Sequence, residues 1–292
     1  MFKTQRAITA LEWRFASARA QFRSARILVG WKRERDYLRH LHVGERLPVI
    51  FCTWRRLDRL PHTLALLAAQ DVPVQALIWN NSPRRGQVGA AAALASIPVS
   101  VHYSKRNIGG FGRFYLARAA ARAGHDRVVF IDDDHDFGPD TIGRLLADYR
   151  PRTLSGWWAW RFRSDDYGDR DRAARDESAH YVGTCGMIAD SAVFLGGRLF
   201  RCPRRFWFIE DLWLCYVASH LAGYGLRSSA AEFKAAEDEH DLYLTLGGAK
   251  QRFLRYLIRQ GWNPNRENGE LVGRGVGHGD QIAARPQADS GG

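Results

Sequence analysis

The chain has 292 residues, 46% of them hydrophobic, which is enough to bury a sizeable core, and 43 Lys and Arg against 31 Asp and Glu leave a formal net charge of +12. That charge suits an anionic partner, whether nucleic acid, a phospholipid surface or a phosphate-bearing small substrate. No run reaches the roughly 18 uncharged apolar residues of a membrane span, and no signal-peptide block opens the chain, so a cytoplasmic location is expected, at most peripheral on the inner face of the cell membrane. The cysteines Cys52, Cys185, Cys202 and Cys215 form no CxxC pair and read as structural thiols of a reducing compartment.

Residues 5–29 carry Ile8, Leu11, Phe15, Ala18, Phe22, Ala25 and Val29 at spacings of three and four, with Arg6, Arg14, Arg19, Arg23 and Arg26 off that stripe. The spacing predicts a basic amphipathic helix that packs on protein or docks on an anionic membrane face. Residues 1–46 are therefore read as a helical extension. From Leu47 the texture changes to apolar runs alternating with helical segments: LPVIFCT, RLPHTLALLAAQ, VQALIWNNS, an Ala-rich stretch, VSVHYS, GRFYLARAAARAG and VVFIDDD. Such alternation predicts βα units and an α/β domain over 47–262 with a mixed, mostly parallel sheet flanked by helices. SGWWAWRFR (155–163) reads as one strand, SDDYGDRDRAARDESA as a charged loop, and YVGTCGMIAD as a Gly-interrupted strand. EDLWLCYVASHLAG and AKQRFLRYLIRQ read as helices, the first closed by Gly223, and the polar, Gly-rich residues 263–292 as a disordered tail.

VVFIDDDHDF (128–137) places Asp132, Asp133, Asp134 and Asp136 at the end of a buried parallel strand, where open α/β sheets bind ligands. An extended chain would aim Asp132 and Asp134 to one side and Asp133 to the other. Two carboxylates on one side suit Mn²⁺ or Mg²⁺ shared with a diphosphate, and like charges packed together call for a cation. Asp140 is assigned instead to the N-cap of the following helix. Glu210 and Asp211 open another helix after apolar FWFI, which would desolvate a carboxylate and favour general-base behaviour, with Asp211 the better placed. Helix capping is the plainer reading of this pair. Trp157 and Trp158 in SGWWAWRF either stack on an acceptor sugar or are buried strand residues; period two puts Trp158 and Trp160 on one face and Trp157 on the other.

Taken together, PVIFCTWRR, WNNS, RNIGGFGRFYLA, FIDDD, YVGTCGM and EDLWL resemble, in order and spacing, the family 2 glycosyltransferases of the Rossmann-like GT-A fold. The resemblance covers roughly residues 48–247. It implies inverting transfer of a sugar from a nucleotide-diphosphate sugar, a UDP-sugar favoured, to a hydroxyl of a glycan or lipid-linked glycan. It further implies that Thr53, Arg55, Asn80, Asn107, Gly109, Gly110, Asp132 and Asp133 border the donor. Asp132 and Asp134 would hold the metal with a late histidine, His240, as a further ligand; Asp211 would be the base, with Glu210 beside it. The family commonly has Asp where this chain has Asn80. Lys105 and Arg106, just before Asn107, either add positive charge near the phosphates or are solvated surface residues. A basic nucleic-acid-binding protein is the rival reading of the charge, but no zinc-finger or RNA-recognition signature accompanies it and it leaves the aspartates unexplained, so no nucleic acid is favoured. A catalytically inactive membrane-associated scaffold of the same fold is the other rival.

Overall fold

The structure, a computed structural model, describes residues 40–236 and 243–264. Residues 5–29, where a basic helix was expected, His240, and the residues beyond 264 lie outside the described residues. In chain order the elements are β1 (Leu47–Thr53), α1 (Leu60–Ala68), β2 (Val74–Asn80), α2 (Arg85–Ala93), β3 (Val99–Tyr103), α3 (Gly112–Arg122), β4 (Arg127–Phe130), β5 (His135–Phe137) and α4 (Thr141–Ala147). There follow β6 (Thr153–Gly156), β7 (Ala159–Phe162), β8 (Arg170–Arg172), β9 (Tyr181–Val182), β10 (Met187–Asp190), α5 (Glu210–Tyr216), β11 (Gly225–Ser228), β12 (Phe233–Ala235) and α6 (Tyr243–Arg259).

Seven strands form one sheet in the order β11-β6-β10-β4-β1-β2-β3. Strands β3, β2, β1 and β4 run parallel, and β10 alone runs against its neighbours β4 and β6. This is a Rossmann-like, mixed and mostly parallel sheet. Both faces are covered, which is why its central strands read as unbroken apolar runs. Ile50, Leu77, Trp79, Val128 and Phe130 face a core shared with Phe114, Ala117 and Ala120 of α3 and with Leu212 and Phe253 of α5 and α6. Val49, Phe51, Ala76, Ile78 and Val129 face the other core, built with Leu60, Leu64 and Leu67 of α1, Val88 of α2, and Ile142 and Leu145 of α4. Each large side chain buried in these layers stabilises the fold by roughly 1.5–3 kcal/mol relative to an exposed one.

Three local expectations differ from the structure. SGWWAWRFR is two strands in different sheets: β6 belongs to the main sheet, whereas β7 pairs with β8 and β9, and the chain crosses between them at Trp157 and Trp158. The charged loop contains β8, because Arg170–Arg172 pairs with Trp160–Phe162 and exposes Asp171 and Arg172. Asp140 occupies the N-cap position of α4, but its carboxylate accepts from Arg144 Nε at 2.8 Å rather than from a backbone amide. The helix opened by Glu210 widens into a π-type turn over Val217–Leu221 and ends at Gly223, whose φ of +67° is a left-handed stop.

Candidate active site

Parallel strands β1, β2 and β4 all end at one edge of the sheet, so the segments that follow them meet there. They line a cleft of about 650 Å³ with Thr53, Arg55, Arg56, Asn81 and Asp132–His135. The opposite wall is built from Trp157, Trp158, Tyr181, Cys185, Glu210, Asp211 and Lys250. Of the residues expected near the donor, Asn80, Lys105 and Arg106 do not line this cleft.

The aspartate run does not stay extended. After Ile131 the chain turns through Asp133 and Asp134, then continues as β5, which pairs with β12. The turn overrides the period-two placement, and Asp133 and Asp134 share one partner: Arg56 Nη1 lies 3.6 Å from Asp133 and 3.2 Å from Asp134. Asp132 accepts from Arg113 Nη2 at 2.8 Å, and Asp136 is held by Arg59 at 2.7 Å and His62 at 2.8 Å. The cations that crowded carboxylates require are thus supplied in part by the chain's own arginines. Asp133 is the most buried of the run, and burial, reinforced by Asp134, pushes its carboxyl up to about 7 against the pull of Arg56. Burial would also raise Asp134, but the His135 Nδ1 hydrogen bond of 2.7 Å and Arg56 outweigh it and hold Asp134 below the usual range. His135 is raised in turn: burial opposes its charge, and the carboxylates of Asp134 and Asp132 prevail.

The head of α5 forms the facing side. Glu210 is buried with its Oε1 3.5 Å from Arg113 Nε, so one guanidinium joins the aspartate run to this helix. Burial raises the Glu210 carboxyl to about 7 despite Arg113. Glu210 is the more deeply buried of the pair, its side chain 6% exposed against 15% for Asp211. Asp211 accepts the Tyr181 hydroxyl and the Leu212 amide, the latter at 2.8 Å, and its Oδ2 lies 3.9 Å from buried Lys250 Nζ. Lys250 comes from α6, far along the chain, and Tyr181 from β9. Gly110 explains how Glu210 fits: a Cβ there would lie 1.8 Å from Glu210 Oε1.

On the donor side expected from the resemblance, Asn80 is fully buried and closes a local turn, accepting the Ser82 amide at 2.7 Å and donating to the Ser82 carbonyl at 3.1 Å. The residue that faces the cleft is Asn81. Its Oδ1 accepts the Ile108 amide at 3.1 Å and its Nδ2 donates to the Gly109 carbonyl at 3.0 Å, which pins the Asn107–Gly110 loop. Asn107 also lines the cleft and accepts the Gly109 amide at 2.8 Å. Gly109 has φ +66° and lies against Phe208, a position no side chain would tolerate. Lys105 and Arg106 are exposed outside the cleft; the cationic side chains within it are Arg55, Arg56, Arg113 and Lys250.

Trp157 and Trp158 both reach the cleft, with ring centroids 5.1 Å apart, and Trp158 is also 5.1 Å from Trp160. The strand break between β6 and β7 removes the strict alternation that would have separated them. Trp157 meets the His135 ring edge to face at 5.8 Å, so the aromatic wall adjoins the acidic run.

A metal-ligand grouping among the described residues is Asp132, His135 and Cys185, whose donor atoms all lie within 4.8 Å of one another. It shares Asp132 with the expected set, but His135 and Cys185 stand where Asp134 and His240 were expected; the Asp134 carboxylate is engaged by His135 and Arg56, and His240 lies outside the described residues. Carboxylate and imidazole are ordinary ligands for Mn²⁺, whereas the buried Cys185 thiol, held well above its usual value by burial, is a soft and protonated donor. Arg56, Arg113, His135, Tyr181 and Lys250 carried no expected role in the site, and Cys185 was read only as a structural thiol. All six lie within quoted stretches, but no local pattern assigns them to the cleft.

No family model matches the sequence, and no curated protein sequence matches it. Among solved structures, the chain is similar to the mannosyltransferase PcManGT from Pyrobaculum calidifontis in complex with GDP-Man and Mn²⁺, with 15% identity over 85% of this chain and 76% of that one and a TM-score of 0.56. S. aureus TarS gives a TM-score of 0.46 at 17% identity over 77% of this chain, which spans only 45% of the TarS chain. A fragment of TarS, residues 1–349, in complex with UDP gives 0.47 at 16% identity over 76% of this chain and 68% of that one. At 15% identity the likeness to PcManGT is one of fold: the chain shares a Rossmann-like architecture with that glycosyltransferase.

Proposed function

We propose that this chain is a glycosyltransferase that moves a sugar from a nucleotide-diphosphate sugar, a UDP-sugar favoured, to a hydroxyl of a glycan or lipid-linked glycan, with inversion. The observation that carries the reading is the placement of the aspartate run and the Glu210–Asp211 helix head on one cleft at the carboxyl edge of the sheet, bridged by Arg113. The donor's nucleotide lies along Thr53, Arg55, Asn81, Asn107, Gly109 and Gly110, with Asp132 and Asp133 toward its diphosphate. Asp132 and His135, with Asp134 behind them, would hold Mn²⁺ or Mg²⁺, which neutralises charge on a leaving diphosphate. Arg56 and Arg113 add fixed positive charge beside that position. The acceptor sugar stacks on Trp157 or Trp158, and Asp211 takes the proton of its attacking hydroxyl. PcManGT, a protein of this fold, is in complex with GDP-Man and Mn²⁺, which supports the donor and metal classes.

The test is a thermal-shift screen of UDP-, GDP- and dTDP-sugars with and without Mn²⁺. A ligand at about 100 times its dissociation constant stabilises the native state by roughly 2.7 kcal/mol, which is readily seen. Asp134→Ala is expected to abolish the Mn²⁺-dependent part of the shift while the fold survives, because the residue sits in a turn beyond the strand. Absence of any shift with every nucleotide sugar would overturn the reading, and an unchanged Mn²⁺ response in Asp134→Ala would remove Asp134 from the metal site.

We further propose that residues 5–29 hold the protein on an anionic membrane surface, supported by their basic amphipathic spacing. Deleting residues 1–40 is expected to leave donor hydrolysis intact and release the protein from vesicles rich in anionic lipid in a sedimentation assay. Continued co-sedimentation of the truncated protein would assign membrane binding elsewhere.

A further inference from the structure

Beside the active-site cleft lies a second cavity of about 510 Å³, and Trp157 lines both. Arg144, Arg172, Arg175, Asp148 and Ser229 contribute to its walls. Several of these are committed elsewhere. Arg144 is paired with Asp140 at 2.8 Å, and Asp148 accepts the Ser229 hydroxyl at 2.5 Å and the Ala230 amide at 3.0 Å.

Arg172 is placed differently. Its guanidinium carbon stands 4.9, 4.6 and 5.4 Å from the ring centroids of Trp157, Trp158 and Trp160, and it donates to the Trp157 carbonyl. Among the described residues no carboxylate forms an ion pair with it. Cation–π contact with the three indoles and the bond to the Trp157 carbonyl hold the guanidinium against the aromatic wall and leave its remaining N–H groups for a ligand. Arg175 is largely exposed, with its nearest acid, Asp176, at 3.9 Å, and Glu232 is an exposed acid on the same cavity. The aromatic wall that faces Asp211's cleft therefore continues, through Trp157, into a groove that presents a guanidinium with no ion-pair partner among the described residues.

We propose that this groove is an anion subsite for the acceptor: Arg172, with Arg175, holds a phosphate or carboxylate carried by the acceptor glycan beyond the sugar that stacks on Trp157. The inference rests on the glycosyltransferase reading and narrows its acceptor to anionic glycans. A planar fork binding an oxyanion through two N–H groups supplies both energy and orientation, so the anion would also set the register in which the acceptor hydroxyl meets Asp211.

The experiment is a tryptophan-fluorescence titration of the full chain, saturated with UDP, against glucose 6-phosphate, glucuronate and glucose. Charge-assisted hydrogen bonds predict that at least one anionic sugar binds about 10-fold or more tightly than glucose, and the two anionic probes distinguish a phosphate from a carboxylate ligand. In Arg172→Gln and in Arg175→Gln that preference should fall, and in the double variant it should shrink to within about 2-fold, with glucose affinity little changed. Arg172→Lys, which keeps the charge but loses the stacked fork, should recover only part of it. UDP affinity serves as the control on folding. If UDP binds but the anionic sugars bind no tighter than glucose, or if their preference survives the double variant, the subsite is wrong and the glycosyltransferase reading stands. If UDP and all nucleotide sugars fail to bind while glucose 6-phosphate binds through Arg172, the glycosyltransferase reading fails and the acceptor assignment falls with it.

Discussion

Asp211→Asn is expected to lower sugar transfer by about 10²- to 10⁴-fold while leaving nucleotide-sugar affinity within a few-fold of wild type. The amide keeps the size of the side chain but cannot take a proton from an acceptor hydroxyl. Its surroundings are those of a fixed acceptor group: Tyr181 donates to one oxygen, the Leu212 amide to the other, and Lys250 stands 3.9 Å away. Glu210→Gln should cost less, since Glu210 is packed against Arg113 and the Gly110 backbone rather than presented to an acceptor. That variant has a separate signature in stability. Glu210 is raised from 4.5 to about 7 by burial, so the folded chain binds this proton more tightly than the unfolded chain does. The associated stabilisation is complete below the unfolded value and is lost as pH rises through the folded one. A permanently neutral Gln avoids the loss, so the melting temperature of Glu210→Gln relative to wild type should improve between pH 5 and pH 8. Transfer at near wild-type rate by Asp211→Asn, or greater damage in Glu210→Gln, would reassign the base. A product retaining the donor's anomeric configuration would sink direct displacement.

Arg113→Met is expected to be the most destabilising change in the site. Arg113 is buried, and its guanidinium meets Asp132 at 2.8 Å and Glu210 at 3.5 Å. Removing it strands buried Glu210 and Asp132, at a cost toward the lower end of the roughly 3–5 kcal/mol of a fully buried pair, because Asp132 is 31% exposed and Glu210 can take up a proton. For a chain of this size each kcal/mol moves the melting temperature by about 2–4 °C, so a fall of about 10 °C is expected in thermal denaturation without added metal. Adding Asp132→Asn and Glu210→Gln to Arg113→Met should restore part of the loss, because the stranded charges are then gone. A single variant melting within about 2 °C of wild type would show that Arg113 carries no such burden. Donor affinity should fall as well, since the same guanidinium adds positive charge beside the proposed diphosphate position.

The sheet was legible because its pattern is local. Unbroken apolar runs such as LPVIFCT and VQALIWN mark strands buried on both faces, and helical spacing between them marks the connections, so the mostly parallel α/β architecture followed from period and order alone. The aspartate run and the Glu210–Asp211 pair were legible for the same reason: each is a contiguous acidic cluster at the end of a readable element. What the local pattern could not supply was the company these groups keep. The turn at Asp133 and Asp134 depends on β5 pairing with β12, nearly a hundred residues later, and that pairing puts His135 rather than Asp134 beside Asp132 and Cys185. Lys250 and Tyr181 reach Asp211 only because α6 and β9 pack on α5, and nothing within a few residues of either predicts it. Asn80 and Asn81 are adjacent in sequence, yet one closes a buried turn while the other faces the cleft, a difference set by where strand β2 ends. Sequence periodicity determined which segments are strands and helices; long-range pairing determined which charges neutralise one another, because Coulomb and desolvation energies depend on distances in space that local spacing does not encode.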